Sequence, residues 1–546
     1  MLKIKPQNPK GVRDFLPKEN QRREYIISVI KKHYERYGFE SIYTPSFERL
    51  DTLQGKYGEE GDKLLFKILN SGEYLEKKAE FIEISATLKI LLKSILINII
   101  DAKILEGTTS QINFEELYRE INDTAKKFRL QNIVKPRLKD DFEIKVIDYI
   151  KSALTYCSDC PPNEQLPLKS LNSFSAFLIK NYLLNEENVY FLESKYITKN
   201  ISEKGLRYDL TVPLARLVSQ HQNELSFPFK RYHIAPVWRA DRPQKGRYQE
   251  FFQCDADIVG TKSLVADVEF INLIQDVFSE LNLKVEIKIN NRKVFNGICQ
   301  SIGILDVSTK ISTILDKWDK IGEEKVREEL TQIIDSNQID KLIQILSLEK
   351  IEDLESIEDV SLQEGVAELK YIFKYAQTTN LKFDLKLLRG LDYYTGTVLE
   401  VVSSELPMGS LLGGGRYDNL TEIFGLKDVS GIGISFGLDR IYDLMNDLNR
   451  FPGNHQTKKI LILNLTDKAI DQYYSLLREI RKQNISIDLY PTIAKMDKQL
   501  TYADKCEYTH AILIGENELA ANQITIKNLR ERKQNIVSQG ELLNYI

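Results

Sequence analysis

Basic side chains are concentrated between Phe229 and Gly260, where two predicted strands are joined by a short loop. The cations are Lys230, Arg231, Arg239, Arg242, Lys245 and Arg247, with Asp241 as the nearby acid. An arginine can bind two phosphate oxygens at once, and a strand holds it more rigidly than a flexible tail does. The cluster therefore predicts a site for a polyphosphate or a nucleic acid. An ordinary solvated hairpin is the alternative, because surface hairpins are often charged.

Two polar residues of the second predicted strand have a spacing that suits ligand binding. Gln253 and Asp257 lie four positions apart, so both point to the same face of a sheet. We expect this face to form the floor of a pocket. A surface acid at a strand end is the alternative for Asp257.

The order of residues in this hairpin, WRADRPQKGRYQEF, resembles motif 2 of class II aminoacyl-tRNA synthetases, and the histidyl-tRNA synthetase family in particular. Three further segments resemble the same family in its expected order: LRYDLTVPLARLV, LLRGLDYYTGTVLEV, and GGGRYDNL with GIGISFGLDRI. NPKGVRDFLP and YGFESIYTPSFER resemble its opening and its motif 1. Several motifs in one order carry more weight than any single pattern.

The resemblance implies that the arginines bind ATP. Activation of an amino acid brings its carboxylate onto the α-phosphate, and fixed cations must offset the repulsion between the two anions. By resemblance, Arg239 bridges the carboxylate and the α-phosphate, Arg389 lies on the other side of this phosphate, and Arg440 meets the γ-phosphate and adenine. Arg247 would reach the outer phosphates and Phe251 would stack on adenine. Mg²⁺ would add screening, and no protein metal site is expected.

A histidine pocket is the second implication of the resemblance. An imidazole has two ring nitrogens and usually one proton, so an acceptor and a donor must face it. By resemblance, Asp257 and Tyr394 meet the imidazole, and Tyr393 completes the wall. The other substrate-binding residues are Asp209, Leu210, Thr211 and Gln253. Of these, Asp209, Thr211 and Gln253 would hold the α-amino group of histidine. Core packing is the alternative for the tyrosines.

The implied reaction joins L-histidine to ATP as histidyl-adenylate and passes it to the 3′ end of tRNA(His), with release of AMP and diphosphate. The adenylate phosphate would act as the base for the terminal ribose hydroxyl, so no side-chain nucleophile is needed. Arg242 and Gln244 would touch the acceptor end of the tRNA. The motif 1 region around Pro45 would form the surface of a homodimer.

The elements that must position these residues imply an α+β protein: a catalytic core on an antiparallel sheet, helical insertions and a C-terminal α/β anticodon-binding domain. The predicted segments are core residues 1–74, a helical insertion of unknown role at 75–200, core residues 201–290, a helical insertion domain at 291–381, core residues 382–450 and the anticodon-binding domain at 457–546. The tail alternates strands and helices, as small α/β domains do, and ITIKNL is its predicted final strand.

Length and composition fit a large enzyme. The 546 residues predict roughly three to four domains, and a hydrophobic content of 42% suffices for buried cores. Because the net charge is −4, RNA binding must come from local patches. Five cysteines and the absence of an apolar signal segment favour a reducing, cytoplasmic location. The apolar run from Leu88 to Ile100 is broken by lysines and is too short to span a bilayer.

Other interpretations compete with this one. GIGISFG has GxGxxxG spacing, unlike a dinucleotide fingerprint, and its glycines are expected to let the backbone approach a ligand closely. Cys157 and Cys160 form a lone CxxC, which favours free thiols over a zinc site.

The histidine-sensing regulatory subunit of ATP phosphoribosyltransferase shares the core but normally lacks the C-terminal domain, and the intact arginines favour the enzyme. LRGLDYYTG argues against a prolyl or threonyl synthetase.

Overall fold

The computed structural model describes residues 5–55, 58–70, 202–244, 246–388, 394–419, 421–452 and 458–545. Contacts within the chain divide it into two compact units, Met1–Arg450 and Phe451–Ile546. The predicted insertion at 75–200, with Cys157 and Cys160, lies outside the described residues, as do Arg389 and Tyr393. The predictions made for them therefore stay predictions.

The first unit is built on two sheets. Its strands are β1 (Glu40–Ser41), β2 (Phe47–Arg49), β3 (Lys67–Ile68), β4 (Lys204–Leu206), β5 (Phe229–Trp238), β6 (Glu250–Val259), β7 (Val285–Asn291), β8 (Leu381–Phe383), β9 (Thr397–Ser403), β10 (Leu412–Tyr417) and β11 (Gly431–Gly437). An eight-stranded sheet has the order β1-β5-β6-β11-β10-β9-β7-β8, and a small sheet has the order β2-β4-β3. Only the outer pairs of the large sheet are parallel. The predicted α+β architecture on an antiparallel sheet is confirmed.

Helices cover the large sheet and fill the connection between β7 and β8. The helices of this unit are α1 (Pro17–Arg36), α2 (Leu50–Leu53), α3 (Gly58–Lys63), α4 (Thr211–Gln220), α5 (Val265–Glu280), α6 (Arg292–Ile302), α7 (Ser308–Leu315), α8 (Trp318–Leu330), α9 (Ser336–Leu346), α10 (Val360–Tyr375) and α11 (Leu438–Asp447). The described residues between β7 and β8 are mainly helical, and the assignment of 291–381 to an insertion domain stays a prediction. No helix in the described ranges is long and apolar enough to cross a membrane.

The β5–β6 hairpin has two different faces because successive side chains of a strand alternate. On one face Tyr232 stacks on Tyr34 of α1 at 5.5 Å between ring centroids, and the Tyr34 hydroxyl donates to the Cys254 carbonyl at 2.6 Å. On the other face Arg231 lies opposite Asp257 in the strand register. The first face thus packs into the core, and the second carries the polar residues.

The second unit is a small α/β sandwich. Its strands are β12 (Lys459–Leu463), β13 (Ser486–Leu489), β14 (His510–Leu513), β15 (Ile524–Asn528) and β16 (Lys533–Val537), in the order β13-β12-β14-β15-β16. Its helices are α12 (Ile470–Lys482), α13 (Met496–Lys505) and α14 (Glu516–Ala521). Alternate residues of β12 face two cores, Ile460 and Ile462 toward α12, and Leu461 and Leu463 toward α13.

The predicted α/β tail is confirmed, but ITIKNL is not its last strand. β16 follows β15 and pairs with it in antiparallel fashion. Its sequence, KQNIV, is polar, and only its last residue is buried. An exposed edge strand of this kind lacks the apolar alternation by which a strand is recognised in a sequence.

Candidate active site

A cavity of about 370 Å³ opens on the polar face of the large sheet. It gathers most of the residues that the sequence predicts for the site: Asp209, Thr211, Arg239, Arg247, Phe251, Gln253, Asp257, Tyr394 and Arg440. These residues come from segments up to 231 positions apart, Asp209 and Arg440 being the extremes. The sheet therefore brings the separate motifs to one place.

The floor of the cavity is the inward face of β6. Gln253, Asp255 and Asp257 alternate along it, and Ser435 and Gly433 of β11 lie opposite the last two. The Gln253 Nε2 donates to the Ser435 hydroxyl at 2.9 Å. Gln253 and Asp257 share a face as predicted, and Asp255 lies between them.

Asp257 is held by a cation and a phenol that are buried with it. The Arg231 Nη2 lies 2.5 Å from its Oδ2, and the Tyr417 hydroxyl donates to its Oδ1 at 2.5 Å. Burial raises the pKa of the Asp257 carboxyl, while Arg231 and the Tyr417 hydroxyl oppose that shift. A carboxylate fixed in this way presents hydrogen-bond acceptor oxygens at the cavity floor.

Two cations of the hairpin do not serve the predicted anion site. Arg231 has no exposed surface in its side chain and pairs with Asp257. Lys230 points to the other face and binds Glu269 at 2.9 Å. The prediction that these two belong to a phosphate-binding cluster is wrong. The alternation of the strand directs Arg231 into the protein, where Asp257 meets it, and directs Lys230 to the opposite face, where Glu269 pairs with it.

Glycines of β10 and β11 make room for the side chains of the floor. A Cβ at Gly433 would overlap Asp257 Oδ1, and one at Gly415 would lie 2.7 Å from Tyr394 Cδ1. At these positions the missing side chains admit Asp257 and Tyr394. Gly433 and Gly437 also line the cavity, and the expectation that the glycines of GIGISFG let the backbone approach a ligand stays a prediction.

A second buried carboxyl of the floor has a shifted pKa. Burial raises the pKa of Asp255 to about 7, although the Arg231 charge opposes the shift. Its cross-strand neighbour His233 has a pKa lowered to about 3 by burial, then by Arg231 and Arg207. His233 is therefore neutral at physiological pH, while Asp255 changes its charge near neutrality.

The opposite part of the cavity carries arginines and an aromatic ring. The Arg239 Nε donates to the Tyr208 carbonyl at 3.1 Å, and its guanidinium carbon lies 5.2 Å from the Phe251 ring centroid. Arg440 donates to the carbonyl of Gly246 at 3.0 Å and to that of Ser410 at 2.6 Å. Cations fixed beside a flat apolar ring can bind an anion attached to a planar base.

Other predicted residues lie outside the cavity wall. Leu210 is fully buried in a core with Ala235 and Val237. Arg242 and Gln244 are exposed on the hairpin loop, which is closed by backbone hydrogen bonds of 3.0 and 2.9 Å between Gln244 and Arg247. The loop residues are thus available to a large partner rather than to a ligand in the cavity.

The chain matches two protein-family models. Histidyl-tRNA synthetase covers residues 11–81 and 200–441, and Anticodon binding domain covers residues 459–546. The histidine–tRNA ligase of Azobacteroides pseudotrichonymphae genomovar. CFP2 is 41% identical over 98% of this chain and 97% of its own length. The chain belongs to the histidyl-tRNA synthetase family. The histidine–tRNA ligase of Flavobacterium johnsoniae is also 41% identical, over 96% of this chain and 95% of its own.

Solved structures agree in fold. Histidyl-tRNA synthetase from Nostoc sp. PCC 7120 superposes with a TM-score of 0.65 at 24% identity, covering 100% of this chain and 99% of that one. Apo histidyl-tRNA synthetase of S. aureus gives a TM-score of 0.57 at 18% identity, with 100% and 99% coverage. The histidyl-tRNA synthetase family model leaves residues 82–199 unmatched, within the predicted insertion.

Several residues that line the cavity of this histidyl-tRNA synthetase family member were not predicted from the sequence. Asp255, Tyr417, Ser435, Tyr248 and Asp439 all line it. Asp255 shares the two-residue period of Gln253 and Asp257, so that period alone would have identified it. Tyr417 lies within GGGRYDNL, but its partner Asp257 is 160 positions away, and no local pattern connects the two.

Proposed function

We propose that this enzyme activates L-histidine with ATP to form histidyl-adenylate and then transfers the histidyl group to the 3′ end of tRNA(His), releasing AMP and diphosphate. The observation that carries the proposal is one cavity with a buried carboxylate, Asp257, at its floor and Arg239 and Arg440 in its wall. Such a cavity suits an imidazole at one end and a nucleotide triphosphate at the other.

The floor supports recognition of histidine through complementary polar groups. Asp257 would accept a hydrogen bond from the N–H of the imidazole, and the phenol of Tyr394 would donate to the other ring nitrogen, with Tyr393 completing the wall. The Gln253 Oε1 is buried without a hydrogen-bond partner in the described part of the chain, so it suits the α-ammonium group, together with Asp209 and Thr211. A side chain lacking both imidazole nitrogens would leave buried polar groups unpaired, at roughly 1–3 kcal/mol for each group.

The arginines support binding of ATP, which the family uses as a substrate. Arg239 would bridge the histidine carboxylate and the α-phosphate, and Arg389 would flank this phosphate from the other side. Arg247 and Arg440 would contact the outer phosphates, while Phe251 would stack on adenine. Fixed charges of this kind stabilise the negative charge that develops during adenylate formation and need no reorganisation at the moment of reaction.

Mg²⁺ is proposed as a cation that accompanies ATP. Among the described residues, no group of three or more His, Cys, Asp or Glu side chains could hold a metal ion. In nucleotide sites Mg²⁺ usually keeps several waters and is bound through the phosphates with one or two carboxylates. Asp241, in the cavity wall 3.8 Å from Arg247, fits the role of such a carboxylate. Bound there, Mg²⁺ would screen phosphate charge.

The proposed tRNA contacts are the exposed loop residues Arg242 and Gln244 at the acceptor end and the second unit at the anticodon.

A homodimer through the motif 1 region is proposed because two aromatic side chains there face solvent. Tyr43 is 70% exposed and Phe47 is 49% exposed, on either side of Pro45. A cytoplasmic location is proposed from the sparse cysteines, of which Cys254, Cys299 and Cys506 are free thiols.

The test is ATP–pyrophosphate exchange by the full-length protein with each of the twenty amino acids in turn. We expect histidine alone to drive exchange, because only its side chain pairs with both the carboxylate and the phenol. Exchange with proline or threonine would assign the chain to another synthetase specificity. Histidine binding without any exchange would favour a histidine sensor, the alternative that shares this fold.

A further inference from the structure

The segment that precedes α1 lies directly on the hairpin loop. The Gln249 amide donates to the Gly11 carbonyl at 2.8 Å. Gly11 has φ +84°, and a Cβ there would lie 2.7 Å from Gln249 Cγ and 2.9 Å from Pro243 Cγ. The backbone at Gly11 therefore lies so close to the hairpin loop that any larger residue would displace the loop.

Arg13, two residues later, joins this loop to α11. Its guanidinium carbon lies 3.8 Å from the Tyr248 ring centroid, and its Nη2 lies 2.8 Å from Asp439 Oδ1. Its Nη1 lies 3.6 Å from Asp443 Oδ1, and the Tyr248 hydroxyl donates to Asp443 Oδ2 at 3.3 Å. The four side chains form a closed set, which a planar guanidinium can complete because it stacks and forms ion pairs at once.

Two partners of Arg13 line the cavity, whereas Arg13 and Asp443 do not. Tyr248 and Asp439 are both in the wall. Tyr248 follows Arg247 in the chain, and Asp439 precedes Arg440. Asp439 Oδ2 also accepts from the amide of Phe252, the residue after the proposed adenine-stacking ring. Arg247 and Arg440 are thus chain neighbours of residues that Arg13 contacts directly. Phe251 is the chain neighbour of Phe252, whose amide binds Asp439.

The two carboxylates that pair with Arg13 would be affected differently by its loss, because Asp443 would lose its ion pair and retain the Tyr248 hydroxyl, whereas Asp439 has a second cation. Arg23, which is buried, also pairs with Asp439 Oδ1. The carboxylate therefore keeps one cation when Arg13 is removed, and the large penalty for an unpaired buried charge does not arise. What is lost is the guanidinium that stacks on Tyr248 and pairs with Asp439 and Asp443, while the Tyr248–Asp443 and Arg440–Gly246 hydrogen bonds still join the loop to α11.

We propose that Arg13 is a positioning residue for ATP: it fixes the hairpin loop against α11 and thereby sets the relative positions of Arg247, Phe251 and Arg440. The inference rests on the proposed function, since it assigns ATP to this part of the cavity. It does not concern the histidine end, because Arg13 contacts none of Gln253, Asp255 or Asp257.

The experiment compares Arg13→Ala, Arg13→Lys and Arg22→Ala in the full-length protein. Arg22 is the comparison, because it lies in α1 and donates to Asn446 Oδ1 of α11 at 2.6 Å, whereas Arg13 binds α11 from the segment before α1. In ATP–pyrophosphate exchange, Arg13→Ala should lower kcat/KM for ATP about ten-fold or more, as misplacement of preorganised groups does, and leave KM for histidine within about two-fold. Arg13→Lys should recover part of the loss, since lysine keeps the charge but not the stacking plane.

A second measurement does not depend on activity. Trypsin cleavage after Lys245 and Arg247, followed by mass spectrometry, should be several-fold faster in Arg13→Ala than in the unmodified protein and unchanged in Arg22→Ala, because a released loop opens more often. Unchanged cleavage, or equal changes in KM for ATP and histidine, would overturn the inference. If Arg13→Ala does not fold, Arg13→Lys must show a smaller loss of kcat/KM for ATP with KM for histidine nearly unchanged. Otherwise the inference fails. An unmodified protein without histidine-dependent exchange would instead contradict the proposed function.

Discussion

Asp257 is a charge buried together with the groups that compensate it. A carboxylate removed from water is strongly disfavoured unless it is paired and hydrogen-bonded, and Arg231 and Tyr417 satisfy both needs. The same two contacts fix the direction of the carboxylate. A rigid acceptor distinguishes ligands by their donors, since a ligand without a matching N–H leaves the acceptor unpaired.

Replacement of Asp257 by alanine should affect histidine far more than ATP. Loss of a charged hydrogen bond, at roughly 1.5–3 kcal/mol, predicts an increase in KM for histidine of about ten- to one-hundred-fold, with KM for ATP little changed. Exchange kinetics with each substrate varied in turn would measure this. Tyr417→Phe is the matched control, because it removes only the hydroxyl and should give a smaller change of the same kind. Equal losses for both substrates would mean that Asp257 is structural.

At the scale of elements, β10 and β11 are strands whose missing side chains shape the site. Gly433 lies opposite Asp257 in the register, and Gly414 and Gly415 of β10 lie on the neighbouring strand. Glycine usually weakens a strand interior because it has no side chain to pack. Here the space beside Gly433 is filled by Asp257 of β6, and the space beside Gly415 by Tyr394, which precedes β9.

Gly433→Ala should therefore damage histidine binding. Its Cβ would overlap Asp257 Oδ1, so the carboxylate must move, and KM for histidine should rise about ten-fold or more, as a misplaced binding group causes. Gly297→Ala in α6 is the comparison, since its Cβ would lie 2.5 Å from Asp359 Oδ1 and Leu362 Cβ, outside the cavity. Gly297→Ala should lower Tm and leave KM for histidine unchanged. A similar KM in both variants would exclude the proposed role of Gly433.

At the scale of the whole molecule, adenylate chemistry and the second unit occupy separate parts of the chain. Every described residue that lines the cavity lies within Met1–Arg450, and the match to the anticodon-binding model lies within Phe451–Ile546. The second unit has its own two cores on the faces of its sheet. Exchange should consequently depend on the first unit alone, whereas charging of tRNA, which consumes the adenylate, should depend on both units.

A chain ending after Asn454 should retain histidine-dependent exchange and lose most of its efficiency in charging tRNA. We expect kcat/KM for tRNA to fall while KM for histidine and ATP stays near that of the full chain. Added salt should weaken tRNA charging by the full chain more steeply than exchange, because phosphate contacts release counterions. Full charging efficiency in the truncated protein would show that the second unit does not read the anticodon.

The order of the motifs, the β5–β6 hairpin and the α/β tail could be predicted from the sequence because each depends on neighbours in the chain. Period-two spacing placed Gln253 and Asp257 on one face, and the alternation of apolar segments indicated β12 to β15. β16 was not predicted, because most of its residues are exposed and its sequence has no alternation of apolar and polar residues.

Contacts between distant residues were decided only by the tertiary structure. Whether Arg231 meets a phosphate or a carboxylate depends on the register that puts it opposite Asp257. The pairing of Tyr417 with Asp257, and of Arg13 with Asp439, joins residues 160 and 426 positions apart. Local sequence fixes which face of an element a side chain occupies, but the order of strands and the packing of helices determine what that face meets.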